Sequence, residues 1–145
     1  MSEYTATVRW SLDGGDFAGN RYTRAHEWSF DGGLSVPASA SPHIVPLPQS
    51  VAENVDPEEA FVASLSSCHM LFFLSLAAAE GIVVAAYEDK ASGWLEKDAD
   101  NRMAITRVVL RPRAEYGDDT TPGADDLERL HHRAHELCFI ANSVK

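Results

Sequence analysis

Apolar and polar positions alternate along residues 4–10, the pattern of a half-buried strand. Residues 11–16, Ser-Leu-Asp-Gly-Gly-Asp, predict a turn, and residues 21–30 form a second extended run. On that run Tyr22, Arg24, His26 and Trp28 share one face. Three rings make it the inward face, where Arg24 needs an anion unless its head reaches water. Asp31-Gly32-Gly33 predicts a hairpin turn into a third strand over 34–39. Residues 37–57 carry five prolines and predict a stiff loop of the kind that often covers a site. A long helix over 56–81 follows: Asp56 is a good N-cap, Pro57 suits the first helical position, Glu59 completes a capping box and Gly81 stops the run. Phe61, Leu65, Cys68, Phe72 and Leu76 recur at spacings of three and four and predict its buried stripe. Its other sides are small or apolar as well, so cover by a sheet and by a partner subunit is expected. Two long strands, 83–97 and 104–116, are expected within 83–116, joined at Asp98-Ala99-Asp100-Asn101. Thr121-Pro122 opens a second helix over 121–142, with a stripe of Leu127, Leu130, Ala134, Leu137, Cys138 and Ala141. Strands, long helix, strands, helix is an α+β order rather than alternating βαβ units.

Composition narrows the classes. A chain of 145 residues with 45% hydrophobic content is expected to form a single domain spanning 1–145. A net charge of −10 argues against a nucleic-acid partner, because phosphate backbones select basic surfaces. The first residues lack a basic segment followed by an apolar run, so no signal peptide is predicted and a cytoplasmic location is expected. The apolar stretch over 60–79 contains serines, a histidine and a cysteine, which favours a core helix over a membrane span.

The candidate chemistry lies in the two cysteines, Cys68 and Cys138, each on an expected helix. Free cysteine is a common inert core residue, and a reducing compartment disfavours a structural disulfide. A reactive role requires a thiolate and therefore a nearby cation, since Cys68 is mid-helix and too far from the helix N-terminus. Arg24 is the candidate cation, and Glu58 can orient its guanidinium by a bidentate pair. Together they supply the parts for reducing an O–O bond: thiolate attack, a cation for the departing oxygen, and capture of the sulfenic acid by Cys138. Glu58 and Cys68 are ten residues apart, about 15 Å along one helix, so Glu58 would serve the Cys68 of a partner subunit in a two-fold dimer. Two alternatives remain open. One is a metal site from His131, His135 and Cys138, with His69 beside Cys68, although no known metal-binding spacing is present. The other is a dimeric protein that binds a small apolar ligand and holds inert thiols, the expectation if the cysteine Cα atoms lie beyond roughly 7 Å. His26 and His43 are expected to be structural.

The motif Asp-Pro-Glu-Glu-Ala-Phe-x-Ala-x-Leu-x-x-Cys-His at 56–69 resembles the first-cysteine helix of the OsmC/Ohr family. Cys138 followed by Phe139-Ile140-Ala141-Asn142-Ser143 is similar to that family's second motif, and Tyr22-Thr23-Arg24-Ala25-His26 and Ser39-Ala40-Ser41-Pro42-His43 resemble one OsmC-like subgroup. The resemblance implies the OsmC-like fold, with antiparallel sheets packed on two long core helices in an intertwined homodimer. It implies reduction of organic hydroperoxides, and less well of hydrogen peroxide, at sites built from both subunits. By position Cys68 matches the peroxidatic cysteine, Cys138 the resolving cysteine, Glu58 the glutamate of the Pro-Glu motif and Arg24 the arginine, in surroundings unlike the Gly-Arg-Asp-Gly of the Ohr branch. Electrons would come from an external dithiol, notably a lipoylated protein, with no metal, flavin or haem. Relatives usually continue into a final strand, whereas this sequence ends at Lys145, seven residues after Cys138.

Overall fold

The structure, a computed structural model, describes residues 1–145 and divides into two compact units, Met1–Ala60 and Phe61–Lys145. In the first unit β1 (Thr7–Arg9), β2 (His26–Ser29) and β3 (Ser35–Ala38) form an antiparallel sheet in that order. The β2–β3 turn closes where sequence places it: Phe30 N–H donates to the Leu34 carbonyl, and Gly33 takes φ +94, a conformation open to glycine. The second strand is shorter than the expected 21–30. Arg21 pairs back to Asp16 across a tight turn with Asn20 at φ 65, and the Arg24 N–H donates to the Gln49 carbonyl, so residues before His26 are drawn off the ladder.

The proline-rich segment is held down by a few polar contacts. Ser39 N–H donates to the Val55 carbonyl and Val55 N–H to that of Pro37, while the buried Ser39 hydroxyl accepts from Val51 N–H. Buried Ser50 donates to the Val45 carbonyl at 2.6 Å. Prolines remove backbone donors, and buried serines supply replacements.

Helix α1 (Pro57–Ala79) starts as its capping box dictates: Glu59 N–H donates to Asp56 Oδ1 at 2.8 Å and Asp56 N–H to Glu59 Oε1 at 3.2 Å. Burial opposes ionisation of Asp56, but hydrogen bonds from Glu59 and Glu58 outweigh it and hold the carboxyl below its ordinary range. Gly81 at φ +74 ends the helix. By length and composition α1 is apolar enough to cross a membrane. Its polar side chains, however, are used inside the second unit, where Ser66 and His69 hydrogen-bond to neighbouring elements.

In that unit β4 (Val83–Asp89) pairs with β7 (Pro112–Gly117), and β5 (Ser92–Lys97) with β6 (Met103–Val109), all antiparallel. Each of the two long strands expected from sequence is therefore broken in the middle. The breaks face each other and are pinned: Arg111 N–H donates to Asp89 Oδ1, and its guanidinium donates to the Lys90 carbonyl and to Ser92 Oγ. Pro112, with no N–H, restarts the ladder after the bend. Gly93 lets β5 approach α1, since a Cβ there would lie 2.6 Å from Val62 Cγ2.

Helix α2 (Ala124–Leu137) starts at an N-cap on Gly123, two residues after the expected Thr121, and is followed by α3 (Phe139–Ser143). Phe73, Leu130 and Ala134 form the core, with Phe72, Leu76 and Leu127 from the helices and Val84, Tyr87, Ala114 and Tyr116 from β4 and β7 packed around them. The α2 stripe is the one the sequence predicts. On α1 the buried row is His69, Phe73 and Ala77, one residue on from the expected stripe through Cys68. Helix α1 is apolar nearly all round, so its pattern carries little information about direction.

Candidate dithiol site

Cys68 lies mid-way along α1 and is half-buried. Two side-chain hydrogen bonds flank it. Two residues before it, the Ser66 hydroxyl donates to Asp89 Oδ2 at 2.6 Å, tying α1 to β4. One residue after it, His69 Nε2 lies 2.9 Å from His131 Nδ1, tying α1 to α2. A third tie is at the helix end, where Arg129 donates to both carboxylate oxygens of Glu80 at 2.7 and 2.9 Å and holds that carboxyl below its ordinary range.

Cys138 occupies a break rather than the continuous helix expected over 121–142. It takes φ −63 and ψ 112, closes α2 as its C-cap and opens α3 as its N-cap, with Sγ accepting from Ala141 N–H at 3.4 Å. The thiol is 1% exposed. Burial pushes its pKa up, and the Cys68 thiol beside it adds to the shift, while hydrogen bonds from Ala141 and Ile140 act in the other direction. Both cysteines are free. The unit therefore brings together two thiols from sequence positions 70 apart, one half-exposed and one buried and protonated. Such a pair can lose two electrons and two protons to become a disulfide. Phe139, 70% exposed, meets Phe72 edge-on at 5.0 Å and gives the neighbourhood an apolar rim.

The histidines are arranged differently from the metal reading. His69 is 7% exposed and hydrogen-bonded to His131, whose ring stacks on Phe73 at 4.4 Å. Burial, with His131 and His135 nearby, holds His69 below its ordinary pKa against the opposing pull of Asp89, and burial does the same for His131. His135 is exposed, and no group of three or more His, Cys, Asp or Glu side chains comes together to hold a metal ion. The His69–His131 pair was not anticipated, although the His69–Phe73–Ala77 spacing carried a signal for it. The Ser66–Asp89 contact has no local signal.

Arg24 and Glu58 belong to the first unit. The Arg24 guanidinium folds over its own segment, 3.5 Å from the Tyr22 ring centroid, donating to the Tyr22 carbonyl at 2.6 Å and to Asn20 Oδ1 at 2.7 Å. Both partners are neutral oxygens, so these contacts leave its charge uncompensated. Glu58 occupies the second position of α1 and is half-exposed. His26 accepts from Trp28 Nε1 at 3.1 Å and meets the Arg24 carbonyl at 2.8 Å, a structural arrangement that matches the sequence expectation.

An α+β unit that sets two free thiols against each other, one at mid-helix and one at a helix break, is the framework of a small dithiol protein. The chain belongs to the OsmC family: its profile, described as OsmC-like protein, matches residues 50–145, a span that includes Glu58 and both cysteines but not Arg24. An OsmC-like protein of unknown function from Vibrio cholerae is 53% identical and has a TM-score of 0.98, the match covering 100% of this chain and 95% of that one. An organic hydroperoxide resistance protein from Legionella pneumophila is 18% identical with a TM-score of 0.69, covering 100% and 92%. The organic hydroperoxide resistance protein OhrB of Bacillus subtilis is 21% identical with a TM-score of 0.61, covering 97% and 90%. The last two likenesses establish the fold. Among curated proteins none matches the sequence.

Proposed function

We propose that this chain is a thiol-dependent hydroperoxide reductase that acts on organic hydroperoxides and, less well, on hydrogen peroxide. The observation that carries this reading is the juxtaposition of Cys68 and Cys138 with unequal burial. The Cys68 thiolate attacks one oxygen of ROOH, the O–O bond breaks, and ROH leaves with a proton as Cys68 becomes a sulfenic acid. The Cys138 sulfur then attacks that sulfur, water departs and a disulfide forms. An external dithiol, such as that of a lipoylated protein, returns both thiols while becoming a disulfide itself. Burial that keeps Cys138 protonated suits a resolving thiol, because it does not compete for peroxide as a thiolate.

In this reading Arg24 stabilises the charge on the departing oxygen and Glu58, from the partner subunit of a homodimer, orients it. The dimer is supported by the apolar surface α1 leaves unburied within one chain, Leu71 being 59% exposed. A pair kept reduced for repeated oxidation suits the cytoplasm. No metal, flavin or haem takes part in this scheme.

The test is consumption of cumene hydroperoxide with dithiothreitol or dihydrolipoamide. Cys68→Ser abolishes turnover, and a variant working at the wild-type rate refutes the proposal. One equivalent of peroxide lowers the intact mass by about two protons, whereas a lasting gain of oxygen shows that Cys138 does not resolve. Leu71→Asp converts the dimer to monomer in sedimentation at micromolar concentration; an unchanged sedimentation coefficient refutes the α1 interface.

A further inference from the structure

Beside Cys68 one side-chain hydrogen bond joins α1 to α2, apart from the Arg129–Glu80 pair at the far end of α1. His69 follows Cys68 directly on α1, and His131 precedes Cys138 by seven residues, two helical turns, on α2. Their ring nitrogens are 2.9 Å apart and their planes differ by 6°. The His131 ring is held from its face by Phe73, one turn further along α1, at 4.4 Å and 14°. A neutral imidazole has one donor and one acceptor nitrogen, so along this contact one ring donates and the other accepts; His69 is buried and His131 half-buried. The groups that act on the pair are His135 from α2 and Asp89 from β4, and Asp89 is itself occupied by Ser66 and Arg111.

Apolar contacts such as Phe73 against Leu130 attract without direction, and helices can slide on them. A ring-to-ring hydrogen bond does not tolerate such a shift, since it weakens steeply with distance and angle. A disulfide is equally demanding, requiring Cβ atoms about 3.5–4.5 Å apart and a defined dihedral angle. We propose that the His69–His131 hydrogen bond is a positioning device that locks α1 to α2 in the register in which Cys68 and Cys138 can close a disulfide, an inference that rests on the reading of the two thiols as a redox pair.

The test uses the full-length chain and glutathione. Two protein thiols and one glutathione disulfide give the protein disulfide and two glutathione thiols, so two electrons and two protons pass to glutathione. The ratio at which half the protein is oxidised, read by alkylation and mass, gives the effective concentration of the pair. His131→Leu and His69→Leu each lower it about three- to tenfold, the scale of one hydrogen bond. The double variant falls no further, because both changes remove the same bond. His131→Asn, which keeps a polar atom at the Nδ1 position, stays near wild type, and His131→Gln, which moves that atom away, falls with the leucine variants. Leucine variants at the wild-type value, additive single effects, or equal Asn and Gln variants overturn the proposal. Where a leucine variant fails to fold, the Asn and Gln contrast decides alone. No peroxide enters the assay. A wild-type chain that forms no disulfide refutes the dithiol reading itself, and one that forms it normally but leaves hydroperoxide untouched refutes only the peroxidase reading.

Discussion

Phe73→Ala is the substitution expected to damage the second unit most. The side chain is fully buried, its ring stacked on His131 at 4.4 Å and tilted against Tyr87 at 5.7 Å, with Leu130 and Ala134 in the same core. Its replacement forfeits the transfer energy of the ring and leaves a cavity that α2 and β4 can only partly fill. Such truncations cost about 3–5 kcal/mol. Against a typical stability of about 5–15 kcal/mol this is a large fraction. At about 2–4 °C per kcal/mol for a chain of this size class, the melting temperature falls by roughly 6–20 °C. Phe73→Leu retains most of the apolar volume and costs about 1–1.5 kcal/mol. The assay is urea unfolding followed by circular dichroism at one protein concentration, since the proposed homodimer would link stability to concentration. A loss below about 1 kcal/mol for the alanine variant refutes Phe73 as the centre of the packing.

Two further predictions follow from the polar groups. Asp56→Ala removes the acceptor for Glu59 N–H and costs about 0.5–2 kcal/mol in the same assay, whereas Asp56→Asn retains most of the stability. His69 and His131 are held below the ordinary histidine pKa of 6.5 by burial, so the unfolded chain binds protons more readily than the folded one. Their contribution to stability is complete above pH 6.5 and is lost as pH falls towards their depressed folded values, with a slope of at most about 1.4 kcal/mol per pH unit for each ring. A His69→Gln, His131→Asn double variant flattens stability between pH 7.5 and 5.5; an unchanged slope refutes the assignment.

The local signals were legible. Asp56, Pro57 and Glu59 start α1, Gly81 stops it, Gly33 closes a hairpin, and the α2 stripe faces the core, because each depends on backbone conformation or on contacts a few residues apart. The two cysteines were also visible as candidates from their motifs. Periodicity did not reveal which face of α1 is buried, because a helix apolar on most sides offers several nearly equivalent stripes.

Sequence alone determined the α+β order, the start of the long helix and the two thiols as candidate reactive groups. Only tertiary structure decided that His69, Phe73 and Ala77 form the inner row of α1, that the long strands bend at Asp89 and Arg111, and that the second helix breaks at Cys138. It alone revealed the His69–His131 bond, between residues 62 positions apart. Caps and turns act within one or two turns of chain, whereas a break or a buried polar pair is set by what packs against it.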